Sequence, residues 1–179
     1  MATATIEERL AAVRHHLEEL ETRAKSVPAD AKPRVKRHLA ALQKDMKSAD
    51  AALEGARART AKAAVKGTRE VEDRIELLDD RVEVAEHSLT ADVARDAKSF
   101  MHAVEDELRT WNDYLDHLQA KSATKKAAAE LKLGVDRLAK RLKDAQAMSG
   151  KQWDAQKKRV IAAREELERK ADELAAKLK

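Results

Sequence analysis

An all-α fold, an elongated antiparallel bundle or coiled coil of about four long helices, is what this sequence predicts, and three observations carry it. Apolar residues recur at gaps of three and four along most of the 179 residues, which lines up one face of a helix. Charged residues reach 39 % and hydrophobic residues 43 %, a pairing usual for long helices and foreign to disordered tails. Aromatic residues are only 2 %, so any core is a thin seam of Leu, Val, Ile and Ala. At about 25 cal/mol per Å² such a seam gains little per residue, and self-association is the expected remedy. One domain spanning 1–179 suffices.

The first helix, 5–26, starts at Thr5 as N-cap, with Glu7 and Glu8 in the first turn where carboxylates suit the helix dipole. Ile6, Leu10, Val13, Leu17 and Leu20 form its seam, and Val27-Pro28 stops it because a residue before proline leaves helical geometry. A second helix, 31–66, takes Asp30 as cap and tolerates Pro33 in its first turn. Its seam is Val35, Leu39, Leu42, Met46, Ala49, Leu53 and Ala56. Residues 55–67 offer only Ala and Val65 to a core, so a frayed end is expected there, with Gly67 as stop and Thr68 capping the next helix.

The third helix, 69–120, would be about 75 Å long if unbroken. Its seam runs through Val71, Ile75, Leu78, Val82, Ala85 and Leu89, slips, and resumes at Met101, Val104, Leu108, Trp111, Leu115 and Leu118. Between Leu89 and Met101 unwinding, a bend or a complete break are all open. The fourth, 124–178, takes Ser122 or Thr124 as cap and carries Leu131, Val135, Leu138, Leu142 and Ala145. Met148-Ser149-Gly150 interrupts it; the seam resumes out of step at Trp153, then Val160, Leu167, Ala171, Leu174 and Leu178. One bent helix and two helices broken near 148–150 both fit.

Charge divides the chain into three. Residues 70–120 hold fifteen acidic and five basic side chains, net −10, while 1–69 carry +6 and 121–179 carry +8. An acidic central helix between two basic arms is the arrangement this implies.

The absence of cysteine removes disulfides, thiolate metal sites and cysteine nucleophiles. The N-terminus lacks the basic start and apolar run of a secretory signal, and nothing approaches about 20 consecutive apolar residues. A soluble, cytoplasmic protein is expected. Glu83 with His87 and Asp113 with His117 are helical i, i+4 pairs, but the Glu-x-x-His pairs of a di-iron bundle are missing. His15, His38, His87, His102 and His117 fall outside the core positions and read as solvated, so no metal or cofactor is expected. No glycine-rich phosphate loop or Ser-His-Asp arrangement appears, Asp79-Asp80 reads as a solvated face, and the chain is not expected to be an enzyme.

What remains is binding. The expected interaction seam comprises Val71, Ile75, Leu78, Val82, Leu108, Trp111, Leu115, Trp153, Leu167 and Leu174, with the two tryptophans as anchors. Arg137, Arg141, Lys157 and Arg164 lie near seam positions, where a long cation snorkels or marks pairing register. Lys32, Arg34, Lys36, Arg37, Lys125, Lys126, Lys140 and Arg141 are candidate polyanion contacts, although no nucleic-acid motif or aromatic interleaving accompanies them. The function expected is a non-catalytic scaffold or protein-interaction module that pairs through its seams with itself or another helical protein. The alternative is an amphipathic protein binding a lipid or polymer-granule surface, or a weak non-specific nucleic-acid binder.

Overall fold

Val27 precedes Pro28, and the chain turns there in extended geometry (φ −67°, ψ 152°) as that dipeptide requires. The computed structural model describes the backbone of residues 2–58, 61–120 and 124–177, with side chains from residue 6 onward except at 61–66. Six α-helices lie within the described residues: α1 Ala2–Arg23, α2 Lys32–Arg57, α3 Ala61–Val93, α4 Ala97–Gln119, α5 Lys125–Gln146 and α6 Gly150–Lys177. A 3-10 turn, Ala24–Ser26, finishes α1. None of these helices is long and apolar enough to cross a membrane.

Six helices replace the four expected because two long apolar patterns are cut. The slip after Leu89 is a complete break: Asp96 turns extended (φ −124°, ψ 163°) and its carboxylate accepts from the Ser99 backbone N–H at 2.9 Å and the Ser99 hydroxyl at 2.7 Å. This N-cap restarts the helix in a new direction. The Met148-Ser149-Gly150 interruption is likewise a turn, and Gly150 opens α6 with φ +56°, a left-handed value favouring glycine. The join between α2 and α3 lies after Arg57 rather than at Gly67, which is buried inside α3. Alanine-rich turns keep the helix going there, and one internal glycine costs only about 1 kcal/mol.

Caps differ too. Ala31, not Asp30, is the N-cap residue of α2, with Pro33 in the first turn. Helix α1 starts ahead of Thr5, whose side chain lies outside the described residues, as do Ser122 and Leu178. Thr124 occupies the N-cap position of α5, but its hydroxyl donates back to the Leu118 carbonyl.

Consecutive helices run antiparallel. Arg14–Asp50 and Arg57–Glu7 tie α1 to α2, His117–Asp80 ties α4 back onto α3, and Arg137–Glu166 ties α5 to α6. The first core lies among α1, α2 and the face of α3 bearing Val71, Ile75, Leu78, Val82, Ala85 and Leu89. The second lies among α4, α5 and α6, and α3 contributes Leu77, Val84 and Ala91 to it, three residues at gaps of seven. Helix α3 therefore belongs to both units, one of three helices with α1 and α2 and one of four with α4, α5 and α6. Where α5 crosses α6, Gly134 is buried, and an added Cβ would lie 2.9 Å from Leu167 Cδ1.

Two glycines give opposite expectations. Gly55 sits in α2, and a Cβ added there would have nothing within 4 Å, so Gly55→Ala should raise stability by about 0.5–1 kcal/mol in urea denaturation. Gly150→Ala forces φ +56° on alanine and should lower stability by about 1 kcal/mol in the same assay. Equal shifts for the two would contradict these backbone assignments.

Candidate functional site: a buried charged layer

Polar residues recur at gaps of four on three different helices: Arg34 and His38 on α2, Ser88 and Asp92 on α3, Arg164, Glu168 and Asp172 on α6. A gap of four keeps side chains on one helical face. The fold turns these faces toward one another, with Glu107 of α4 added, so that a charged layer lies between the two units. Arg164 and Glu107 are fully buried, and Arg34, His38, Arg81, Ser88 and Glu168 are nearly so.

Arg164 is the hub. Its Nε donates to Glu107 Oε2 at 2.6 Å, Nη1 to Asp92 Oδ1 at 3.1 Å, and Nη2 to the Ser88 carbonyl at 2.8 Å and hydroxyl at 2.7 Å. Arg34 approaches from the opposite side, donating to Asp92, to Ser88 Oγ at 2.9 Å and to Glu168 Oε1 at 2.8 Å. The Ser88 hydroxyl accepts from both guanidinium groups and donates to Glu168 Oε1 at 2.7 Å. The second oxygen of Glu107 accepts from Trp111 Nε1 at 3.3 Å. Each buried carboxylate is thereby held by an arginine, as removal of charge from water demands.

A second cluster sits one turn further along α6. Arg81 of α3 donates to Asp45 of α2 and Asp172 of α6. His38 Nδ1 lies 3.4 Å from Asp172 Oδ1 without hydrogen-bond alignment, and neither ring nitrogen has a hydrogen-bond partner. Beside this cluster is a cavity of about 60 Å³ lined by Asp45, Ser48, Arg74, Leu77, Leu78, Arg81, Tyr114 and Ala175. Ligand pockets usually span about 300–1,000 Å³, so this space suits ordered solvent better than a substrate. Burial pushes the Tyr114 hydroxyl up to about 12.

The two glutamates titrate in opposite senses. Burial raises Glu107 above its ordinary value, outweighing Arg164. At Glu168 burial also raises, but Arg34, His38 and Arg164 together outweigh it and hold the carboxyl down at about 2. A carboxyl lowered from 4.5 to about 2 by folding contributes stability above pH 4.5 that is lost as pH falls toward 2. Glu107 has the reverse sign, since its buried charge is relieved by protonation. Glu168→Gln should therefore flatten the loss of unfolding free energy between pH 4.5 and 2, measured by urea titration at stepped pH. An acid slope unchanged by the substitution would show that Glu168 does not govern it.

The expected seam faces inward. Val71, Ile75, Leu78, Val82, Trp111, Leu115, Leu167 and Leu174 are buried by the chain's own helices, and Leu108 and Trp153 are half-buried against the second core. Of the candidate polyanion contacts, Lys32, Lys36, Arg37, Lys125, Lys126 and Lys140 are exposed and Arg141 is half-buried. Arg34 is 5 % exposed and engaged with Asp92 and Glu168, so it is not a surface cation. His38, read from the sequence as solvated, is buried at the α2–α6 contact.

His87 lies 3.8 Å from Glu83, whereas His117 pairs across the hairpin with Asp80 at 2.6 Å and Glu76 at 3.6 Å rather than with Asp113. Among the described residues no group of three or more His, Asp or Glu is placed to hold a metal ion. The gap-of-four polar stripes are the signal for the buried layer, and reading each helix singly hides it. Comparison of the chain with protein-family models, with curated proteins and with solved structures returned no match.

Proposed function

We propose that this chain is a non-catalytic helical scaffold or interaction module that associates, with itself or another helical protein, through its charged outer faces. The observation carrying this reading is the internal use of the apolar seam, which leaves faces of opposite sign outside. Asp79, Glu83, Asp113 and Asp116 are exposed on the α3–α4 hairpin, and Lys125, Lys126, Lys132, Lys140 and Lys143 are exposed on α5. Faces of opposite sign on one molecule suit contacts between unlike patches of two copies. Pairing of the coiled-coil type would use what is left at the seam's rim, Leu108 and Trp153. The buried carboxylates, each held by an arginine, serve the docking of the two units rather than chemistry on a substrate.

Light scattering at low and high salt tests this reading. A multimer of defined stoichiometry at low salt that dissociates at high salt is expected. A monomer at every concentration in low salt would overturn self-association, and Asp113→Lys with Asp116→Lys should weaken the multimer if the acidic face takes part.

A further inference from the structure

The turns α3–α4 and α5–α6 lie side by side at one end of the molecule. Phe100, in the first turn of α4, meets Trp153 of α6 edge-on with ring centroids 5.8 Å apart, and Lys157 Nζ lies 4.8 Å from the Phe100 centroid. On the two turns and the helix ends they join, Arg95, Lys98, Lys143, Lys151, Lys158 and Arg159 are exposed, and none is placed in an ion pair. Residues 93–99 and 143–159 together hold seven basic and three acidic side chains, net +4. One of the acids, Asp96, is occupied as the N-cap of α4.

Apolar groups stand among these cations. Of the large hydrophobic side chains exposed among the described residues, Val93 (45 %) and Met148 (36 %) are on these two turns, and Trp153 in the first turn of α6 is half-buried. The exposed acids Asp113 and Asp116 lie about 25 Å down the hairpin from the turn, at 1.5 Å per residue. The cations of the two turns are thus set apart from that acidic stretch of the hairpin, and their local field favours an anionic surface.

We propose that this end is a docking site for an anionic phospholipid surface, with the lysines and arginines meeting the headgroups and Met148 and Val93 entering the interface. The apolar pair decides between lipid and nucleic acid. A phosphate backbone in nucleic acid offers nothing to Val93 and Met148, whereas the headgroup boundary of a bilayer takes in apolar side chains flanked by cations. Trp153 is turned edgewise onto Phe100 and is not free to stack on a base. This inference shares with the scaffold reading only the premise that the protein acts by binding.

Vesicle co-sedimentation tests it. The full chain should sediment with phosphatidylcholine vesicles containing phosphatidylserine, not with phosphatidylcholine alone, and salt should release it. Each cation removed should weaken partition about fivefold, so Lys151→Gln with Lys158→Gln should lower it about 25-fold. Met148→Asp should lower it as well, while Lys44→Gln with Lys47→Gln, exposed on α2 outside these two turns, should leave it unchanged. Trp111 is fully buried, so a blue shift of emission on mixing reports Trp153. No sedimentation at low salt, or equal loss from the two lysine pairs, would overturn the proposal. A shift of duplex DNA without vesicle binding would overturn it in favour of nucleic acid. Light scattering without lipid judges the scaffold reading separately.

Discussion

Arg164→Met should lower unfolding free energy by about 3–5 kcal/mol, measured by urea denaturation at neutral pH. The guanidinium is fully buried and neutralises Glu107 and Asp92 while satisfying the Ser88 carbonyl. Burial alone would lower its pKa, but Glu107, Asp92 and Glu168 together outweigh burial and raise it, so it stays charged throughout the accessible range. Methionine fills similar space and supplies no donor. Glu107 would keep only the Trp111 bond, and Asp92 would keep only Arg34. Adding Glu107→Met should restore part of the loss, because an uncompensated buried charge is worse than an apolar pair. The comparison is Arg137→Met: Arg137 and Glu166 are half-exposed, and removing that pair should cost under about 1 kcal/mol. Similar losses for the two arginines would show that water reaches the layer.

Trp111→Ala should be comparably severe, at about 3–5 kcal/mol in the same assay. The indole is fully buried, packs edge-on to Tyr114 with centroids 5.9 Å apart, and donates to Glu107. Trp111→Phe separates the contributions. It keeps most of the apolar surface but leaves Glu107 Oε1 without a donor, so about 1–3 kcal/mol should be lost. A phenylalanine variant as unstable as the alanine one would place the value of Trp111 in the hydrogen bond instead of in packing.

Helical class and most seams are legible in the sequence because burying one side of a helix forces a repeat of three and four, and residues from Ile6 to Leu174 obey it. Val27-Pro28 is legible because proline acts on its own neighbour. The slip after Leu89 is visible, but a break rather than a bend requires the Asp96–Ser99 bond and the return of α4 onto α3. The charged layer is the least legible feature. Arg34, Glu107 and Glu168 look like outer-face residues on any one helix, and only the assembly of four helices puts each against its counter-charge. The expectation of a seam free for a partner presumes long helices with nothing folded back on them. The turns at 94–96 and 147–149 supply that cover from within.

The bond between Arg34 and Glu168 joins residues 134 apart in sequence, whereas most docking is between consecutive helices or, for α1, with α3. Hairpins close quickly, and a loop of that span closes late because its entropy is given up before any reward arrives. The layer should thus assemble after the kinetic barrier is crossed. Substitutions within it would then hasten opening while leaving the refolding arm of a chevron nearly unmoved.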